Sequence, residues 1–237
     1  MSALETGDLP AGPPERATAA DAPRVVLFDF DGVLIHGDAF HLFMRDCFAS
    51  AWWRKALVVL ALPWLLLRWP FAREAVLRTL VHIGLCGVGE LRYRAVAARF
   101  AAELVRRPRL FCRDGLRVLR CHQAAGDRVV VVTGCEQILV RGVLAELGVL
   151  EGLEVVASTL RPGWSGMRIG HHNIGARKVQ ALAAAGISAG AVAYSDSFLD
   201  IPMLKLADEA VLVNAVPAAC KRVEKALGRS VRRIDWY

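Results

Sequence analysis

The chain has 237 residues, of which 55% are hydrophobic, with 30 Lys and Arg against 23 Asp and Glu and a formal charge of +7. That length and apolar content exclude a wholly disordered or fibrous chain and suffice for one substantial core. The positive balance points to an anionic partner such as a phosphorylated substrate, acidic lipid or nucleic acid. Cys47, Cys86, Cys112, Cys121, Cys135 and Cys220 are scattered, with no C-x-x-C pair and no Cys/His metal spacing, so reduced thiols are expected.

Residues Met1–Pro23 are rich in Ala, Pro, Glu and Asp, lack the basic start and apolar stretch of a signal peptide, and read as a disordered tail. The apolar run from Arg24 to Leu27 reads as a buried strand, and Asp29 and Asp31 follow where it should end, with Gly32 allowing a sharp turn. Ligand sites of open α/β sheets lie beyond the carboxyl ends of their strands. From Asp38 to about Arg120 the chain reads as helix upon helix, with Leu91–Val105 strongly helix-forming. A second buried strand runs from Asp127 to Thr133, followed by a helix through Leu147, and Leu153–Ala157 is a third strand. Ser158–Gly170 has the glycines and proline of a flap or hairpin, and Lys178–Ala185 is helical. Ala191–Tyr194, Ala210–Val213 and Val231–Ile234 complete the strands. Strands alternating with helices predict an α/β fold, a doubly wound parallel sheet of Rossmann type. The core takes residues 24–37 and 115–237, with 38–114 inserted as a helical cap.

This order brings Asp29, Asp31, Thr133, Asp196 and Asp200 to one sheet edge, with Lys178 one helix before the last pair. Four carboxylates there would repel one another without a hard, oxygen-liganded cation such as Mg²⁺. Carboxylates, a divalent cation, a lysine and a hydroxyl suit phosphoryl transfer, which depends on positioning and charge neutralisation.

Asp29-x-Asp31-Gly-Val, Thr133 after a valine run, Lys178 in Gly175-Ala-Arg-Lys, and Tyr194-Ser-Asp196-Ser-x-x-Asp200 resemble the four ordered motifs of the haloacid dehalogenase-like hydrolases, over nearly all of residues 24–237. The resemblance implies that Asp29 attacks phosphorus to form an aspartyl phosphate and that Asp31 is the acid and base. It implies that Thr133 and the Gly134 amide bind phosphate oxygens and that Lys178 holds nucleophile and phosphate together. Mg²⁺ would be held by Asp29, the Asp31 backbone carbonyl and Asp196, with Asp200 assisting through water or Lys178. Val33 stands where many members carry Thr, and Gly134-Cys-Glu-Gln137 departs from the usual residues after the hydroxyl; neither removes a catalytic group. The helical insert resembles that of the phosphoserine phosphatase-like subgroup, with Asp38 in place of a substrate-reading Glu. Asp38-Ala-Phe40-x-x-Phe43-Met-Arg45, the apolar stretch around Pro63 and Leu80–Gly87 look most like bacterial phosphatidylglycerophosphatase C-type enzymes, which makes Asp38 and Arg45 candidate substrate contacts.

Four of the six tryptophans fall between Trp52 and Pro70, beside an apolar run and flanked by Arg54, Lys55 and Arg68. Aromatics and snorkelling cations beside an apolar run are a membrane-interface signature. Ala56–Leu67 would extend about 18 Å as a helix against about 30 Å of hydrocarbon, and Pro63 interrupts it. A single crossing would also separate Asp29 from Thr133, Lys178 and Asp196. The segment is therefore expected to lie in the interface or to dip and return, with Thr79–Val88 as a candidate return leg. A buried cap helix or a dimer interface is the alternative. The arginines at 106, 107, 109, 113, 117 and 120 read first as a solvated helix face, next as a contact for acidic lipid, and not as a nucleic-acid site, since no stacking aromatics are interleaved. His171-His172 lacks a third metal ligand and reads as flap or surface, while Trp164 and Met167 suit either closure over substrate or the hairpin tip. The expectation is a Mg²⁺-dependent phosphatase at the cytoplasmic face of the inner membrane, acting on a lipid phosphate such as phosphatidylglycerophosphate. The alternatives are a phosphatase of a soluble, phosphoserine-like metabolite and a non-catalytic membrane-associated binding protein. No oligomeric state follows from the sequence.

Overall fold

The computed structural model describes residues 23–237, so the tail reading over Met1–Pro23 lies outside the described residues except for Pro23. The elements in chain order are β1 (Val25–Phe28), α1 (Ala39–Ala49), α2 (Trp52–Arg68), α3 (Arg73–Gly84), α4 (Glu90–Val105), α5 (Arg113–Ala124), β2 (Arg128–Glu136) and α6 (Gln137–Glu146). They continue as β3 (Leu153–Gly163), β4 (Gly166–His171), α7 (Ala176–Ala184), β5 (Gly190–Ser195), a 3₁₀ turn at Phe198–Asp200, α8 (Ile201–Leu204), β6 (Ala207–Val213), α9 (Pro217–Leu227) and β7 (Arg232–Ile234).

The seven strands form one sheet in the order β4-β3-β2-β1-β5-β6-β7. All neighbours are parallel except β4, which pairs antiparallel with β3 as a hairpin at the edge. The central strands are apolar throughout because both faces are covered. Val26 and Phe28 of β1 join Val129 and Val131 of β2 in the core under α4 and α6, while Leu27, Val130 and Val132 face α7, α8 and α9. Because β1 lies between β2 and β5, the chain reverses its winding there, and the crevice at the carboxyl ends of these three strands is the favoured ligand position.

The insert packs unevenly. In α1, Asp38 caps the helix by accepting from His41 N at 2.7 Å, and Phe43, Met44 and Cys47 are buried. By contrast α2 buries only Arg54 and Leu65, and Trp52, Leu60, Leu67 and Phe71 just beyond it are 71–86% exposed. Three expectations about this region are corrected. The helix runs unbroken through Pro63, which sits on an exposed face where one missing backbone bond is tolerated. Arg54 does not snorkel outward: it is buried and donates to Cys47 O at 2.8 Å, Ser50 Oγ at 3.2 Å and Cys86 O at 3.1 Å, fastening the start of α2 to α1 and the turn after α3. Thr79–Val88 is not a return leg, because Val81, Gly84, Leu85 and Val88 are buried in the protein. Gly87 N donates to Ser165 O at 2.8 Å and Met167 N to Val88 O at 3.1 Å, so this turn is bound to the β3–β4 hairpin. Gly166 permits that approach, since a Cβ there would stand 2.2 Å from Leu85 O. No single described helix is long and apolar enough to cross a membrane.

Candidate active site

The carboxyl end of β1 delivers Asp29, whose own N donates to Tyr194 O of β5 at 2.9 Å. Its Oδ1 accepts from Phe30 N at 2.8 Å and lies 3.1 Å from Lys178 Nζ. Lys178, in the first turn of α7 and 3% exposed, also contacts both oxygens of Asp200 at 2.8 Å. Ser195 Oγ donates to Asp200 Oδ2 at 2.8 Å. Asp31 Oδ1 accepts from Ala39 N at 2.9 Å, at the start of α1, where the helix end favours negative charge. Thr133 Oγ1 lies 3.5 Å from Asp31 Oδ2 and accepts from Cys135 N at 2.9 Å. Gly32 takes a positive φ of 78° and lets Asp196 close on the β1 loop: a Cβ there would stand 2.1 Å from Asp196 Oδ2. The structure thus gathers Asp29, Asp31, Thr133, Lys178, Asp196 and Asp200 at one edge.

The charge balance is negative, with four carboxylates around one lysine. Burial pushes the Asp29 carboxyl well above the usual carboxylate range against the pull of Lys178, with Asp200 and Asp31 adding repulsion. Burial, with the charge of Asp38, pushes Asp31 up to about 7, a value suited to giving and taking a proton near neutrality. Burial and Asp200 raise Asp196 as well. Lys178 is raised despite its burial, because Asp29 and Asp200 hold its proton.

A cavity of about 620 Å³ leads from this edge into the insert. Asp31, Gly134, Cys135 and Glu136 line its inner end, and Phe40, Met44, Phe48, Leu77, Leu80 and Leu160 line its walls. The candidate contacts Asp38 and Arg45 are among its lining, with exposed Lys55 of α2. Asp38 also serves as the α1 cap, and Arg45 is largely exposed, 3.8 Å from Asp46. His172 lines the cavity half-buried, His171 is exposed, Trp164 stands at the hairpin tip and Met167 is buried.

Several supports carry no sequence signature. The β2–β3 register breaks between Val132 and Glu136, so Thr133–Cys135 form an irregular stretch at the end of β2. Asn173 bridges that gap, donating to Thr133 O at 3.1 Å and Val156 O at 3.0 Å, while Ser158 Oγ donates to Gly134 O at 2.6 Å. Buried Glu136 accepts from Leu139 N at 3.0 Å and from the Tyr93 hydroxyl, pinning α4 beside the end of β2. Glu74 of α3 is forked by Arg177 at 2.8 and 3.0 Å, next to Lys178, and these arginine contacts hold its carboxyl down to about 2. The only hint of these residues in the sequence is the position of Asn173 shortly before Gly175-x-x-Lys178.

Gly32→Ala is expected to lower turnover about 100-fold, the effect of displacing a reacting group by roughly an ångström. The added methyl meets Asp196 and the positive φ disfavours it. Steady-state kinetics checks this; turnover within a few-fold of the unsubstituted protein would show that Asp196 can shift freely.

Comparison with known proteins gives a consistent picture. A family model of haloacid dehalogenase-like hydrolases matches residues 26–205. Phosphoserine phosphatase SerB1 of Mycobacterium tuberculosis is 33% identical over 107 residues, 43% of this chain. The match spans 35% of that relative's length, so the chain aligns with only about a third of it. A solved structure from Bordetella pertussis Tohama I, of a protein of unknown function, superposes with a TM-score of 0.66 at 22% identity, covering 89% of this chain and 99% of that one. A substrate-bound phosphoserine phosphatase gives a TM-score of 0.56 at 18% identity, covering 90% of this chain and 93% of that one. At such identities the two structures speak for a shared fold.

Proposed function

Starting from the membership of this chain in the haloacid dehalogenase-like hydrolase family, we propose that it is a Mg²⁺-dependent phosphatase that hydrolyses a lipid phosphate monoester at a membrane surface. Asp29 attacks phosphorus, and the bond to the leaving oxygen breaks as Asp31 protonates that oxygen. Water then attacks the aspartyl phosphate while Asp31 takes its proton, releasing phosphate and restoring Asp29. Thr133 and the Gly134 amide hold the phosphate oxygens, and Lys178 supplies fixed positive charge that Asp200 and Ser195 keep in place.

Among the described residues no three Asp, Glu, His or Cys side chains form a ready cage for a metal. The donor set still fits a hard cation: all the donors are oxygens, and one lysine leaves the carboxylates in charge excess. Asp29 and Asp196, with the Asp31 backbone carbonyl, would hold Mg²⁺, which supplies charge neutralisation at the phosphate.

The cavity carries the substrate assignment. A small polar monoester such as phosphoserine offers nothing to Phe40, Met44, Phe48, Leu77, Leu80 and Leu160, whereas an acyl chain buries against all of them. The exposed apolar residues of α2, close to the cavity through Lys55, support the reading of a membrane surface beside it. Kinetics with phosphatidylglycerophosphate in mixed micelles against phosphoserine test this. The lipid is expected to have the higher kcat/KM by about 100-fold or more, since burying four methylenes contributes about 3 kcal/mol. Preference for phosphoserine would instead support a soluble metabolite, the reading favoured by the likeness to SerB1.

A further inference from the structure

The β3–β4 hairpin carries a charge arrangement that the active site does not use. Arg161 and Arg168 stand directly opposite each other across the antiparallel pair, and both are exposed. Like charges at directly opposed positions destabilise a hairpin unless something neutralises them. Among the described residues neither guanidinium has a carboxylate within ion-pair distance, so nothing in the hairpin offsets the opposed pair. Gly163 lets Arg168 lie back along the hairpin, since a Cβ there would meet Arg168 Cδ at 3.3 Å and Nε at 3.4 Å. The next residue, Trp164, is 96% exposed.

Arg161, Trp164, Arg168 and Ile169, with Arg78, Thr79 and His82 of α3, line a second cavity of about 310 Å³. Two of the α3 groups are already committed. Arg78 donates to Glu74 and to Ile169 O, and His82 bonds to Ser165 Oγ and Met167 O. They form a fixed wall, and Arg161 and Arg168 are the charges left to meet a ligand.

We propose that this pocket binds the phosphate oxyanion of an acidic phospholipid headgroup, held by Arg161 and Arg168, while Trp164 lies in the membrane interface. Two cations beside a fully exposed indole are what an interface selects, with the charge at the headgroup and the ring at the boundary. The wall helix α3 also packs against α2, whose apolar residues face solvent, so the hairpin would be a second contact with the same surface. One exposed ring and two cations do not make the interleaved groove that a nucleic acid uses. Only the choice of a membrane as occupant rests on the function proposed above; the unpaired arginines stand apart from it.

Cosedimentation of the full chain with phosphatidylglycerol-containing vesicles, against pure phosphatidylcholine vesicles at physiological salt, tests the proposal. R161Q and R168Q are each expected to weaken partitioning to the acidic vesicles about fivefold, and the pair about 25-fold, as follows from about 1 kcal/mol per cation at a charged surface. W164S is expected to weaken binding to both vesicle types. Turnover of p-nitrophenyl phosphate by R161Q/R168Q should match the unsubstituted protein. Unchanged partitioning of the double variant overturns the proposal, as does an unsubstituted protein that does not distinguish the two vesicles. Displacement from vesicles by millimolar inorganic phosphate at constant ionic strength would instead make this a site for free anions and overturn the lipid assignment. If lipid phosphate is not hydrolysed but the double variant still loses vesicle binding, the substrate reading fails and this site stands.

Discussion

Asp29→Asn is expected to abolish phosphate release while raising the melting temperature of the metal-free protein. The loss should be at least about 10³-fold, because an amide cannot form the covalent intermediate and positioning alone remains. The stabilisation follows from the charge balance. Burial pushes the Asp29 carboxyl up against the pull of Lys178, with Asp200 and Asp31 repelling the charged form. A folded pKa above the unfolded one means the native state binds more protons than the unfolded chain, so stability falls as pH rises from the usual carboxylate range towards the folded value. Asp31, at about 7, acts in the same direction. Removing the Asp29 charge relieves part of this, and Lys178 keeps Asp200 at 2.8 Å as its partner. Each kcal/mol relieved should raise Tm by about 2–4 °C in a protein of this size. Melting curves in chelator from acid to neutral pH, beside phosphate release from p-nitrophenyl phosphate with Mg²⁺, check both halves. A lower Tm would show that the Lys178–Asp29 pair outweighs the repulsion, and retained turnover would remove Asp29 as the nucleophile.

The same electrostatics explains what was legible in the chain. A strand covered on both faces must be apolar throughout, so a polar residue at its carboxyl end stands out, and Asp29, Thr133 and Asp196 each follow such a run. Lys178 was readable from the likeness of Gly175-Ala-Arg-Lys to a family motif and from its place one helix before Asp196, and in the structure Gly175 precedes that helix with a positive φ of 55°. What escaped was set by partners remote in sequence. Asn173 matters only because β2 and β3 lose register opposite it, and Glu74 only because the fold brings Arg177 to it. Arg54 looked like a headgroup cation because local pattern cannot tell an arginine that snorkels from one that turns inward onto three oxygens. The strand at Leu153–Ala157 extends to Gly163 because β4 pairs with it, and this is the hairpin that the glycines and proline of Ser158–Gly170 signalled.

The helix α2 should decide whether the catalytic site works on a surface or in solution. Trp52, Leu60 and Leu67 are 71–79% exposed and Trp64 is 40% exposed. Arg68 lies 6.0 Å from the Trp64 ring and Arg73 5.8 Å from that of Trp69, so one end of the helix combines rings with cations. At 17 residues the helix extends about 25 Å, short of the roughly 30 Å hydrocarbon layer, and it meets α1 at 104°. Lying flat in the interface satisfies both facts and keeps Asp29 on the same side as Thr133, Lys178 and Asp196. Replacing Trp52, Leu60, Trp64 and Leu67 together by Ser should therefore lower partitioning to acidic vesicles by at least about 100-fold, the scale of four apolar side chains each losing part of about 1.5–3 kcal/mol. Because these side chains contribute little to the described core, Tm should hold within a few degrees, and p-nitrophenyl phosphate turnover should persist while lipid phosphate turnover falls. A dimer interface would show itself differently, by dissociation of an oligomer on substitution with no change in vesicle binding. Vesicle flotation, sedimentation velocity and melting curves on the same variant separate the two, and a variant that floats like the unsubstituted protein would take the membrane away from α2.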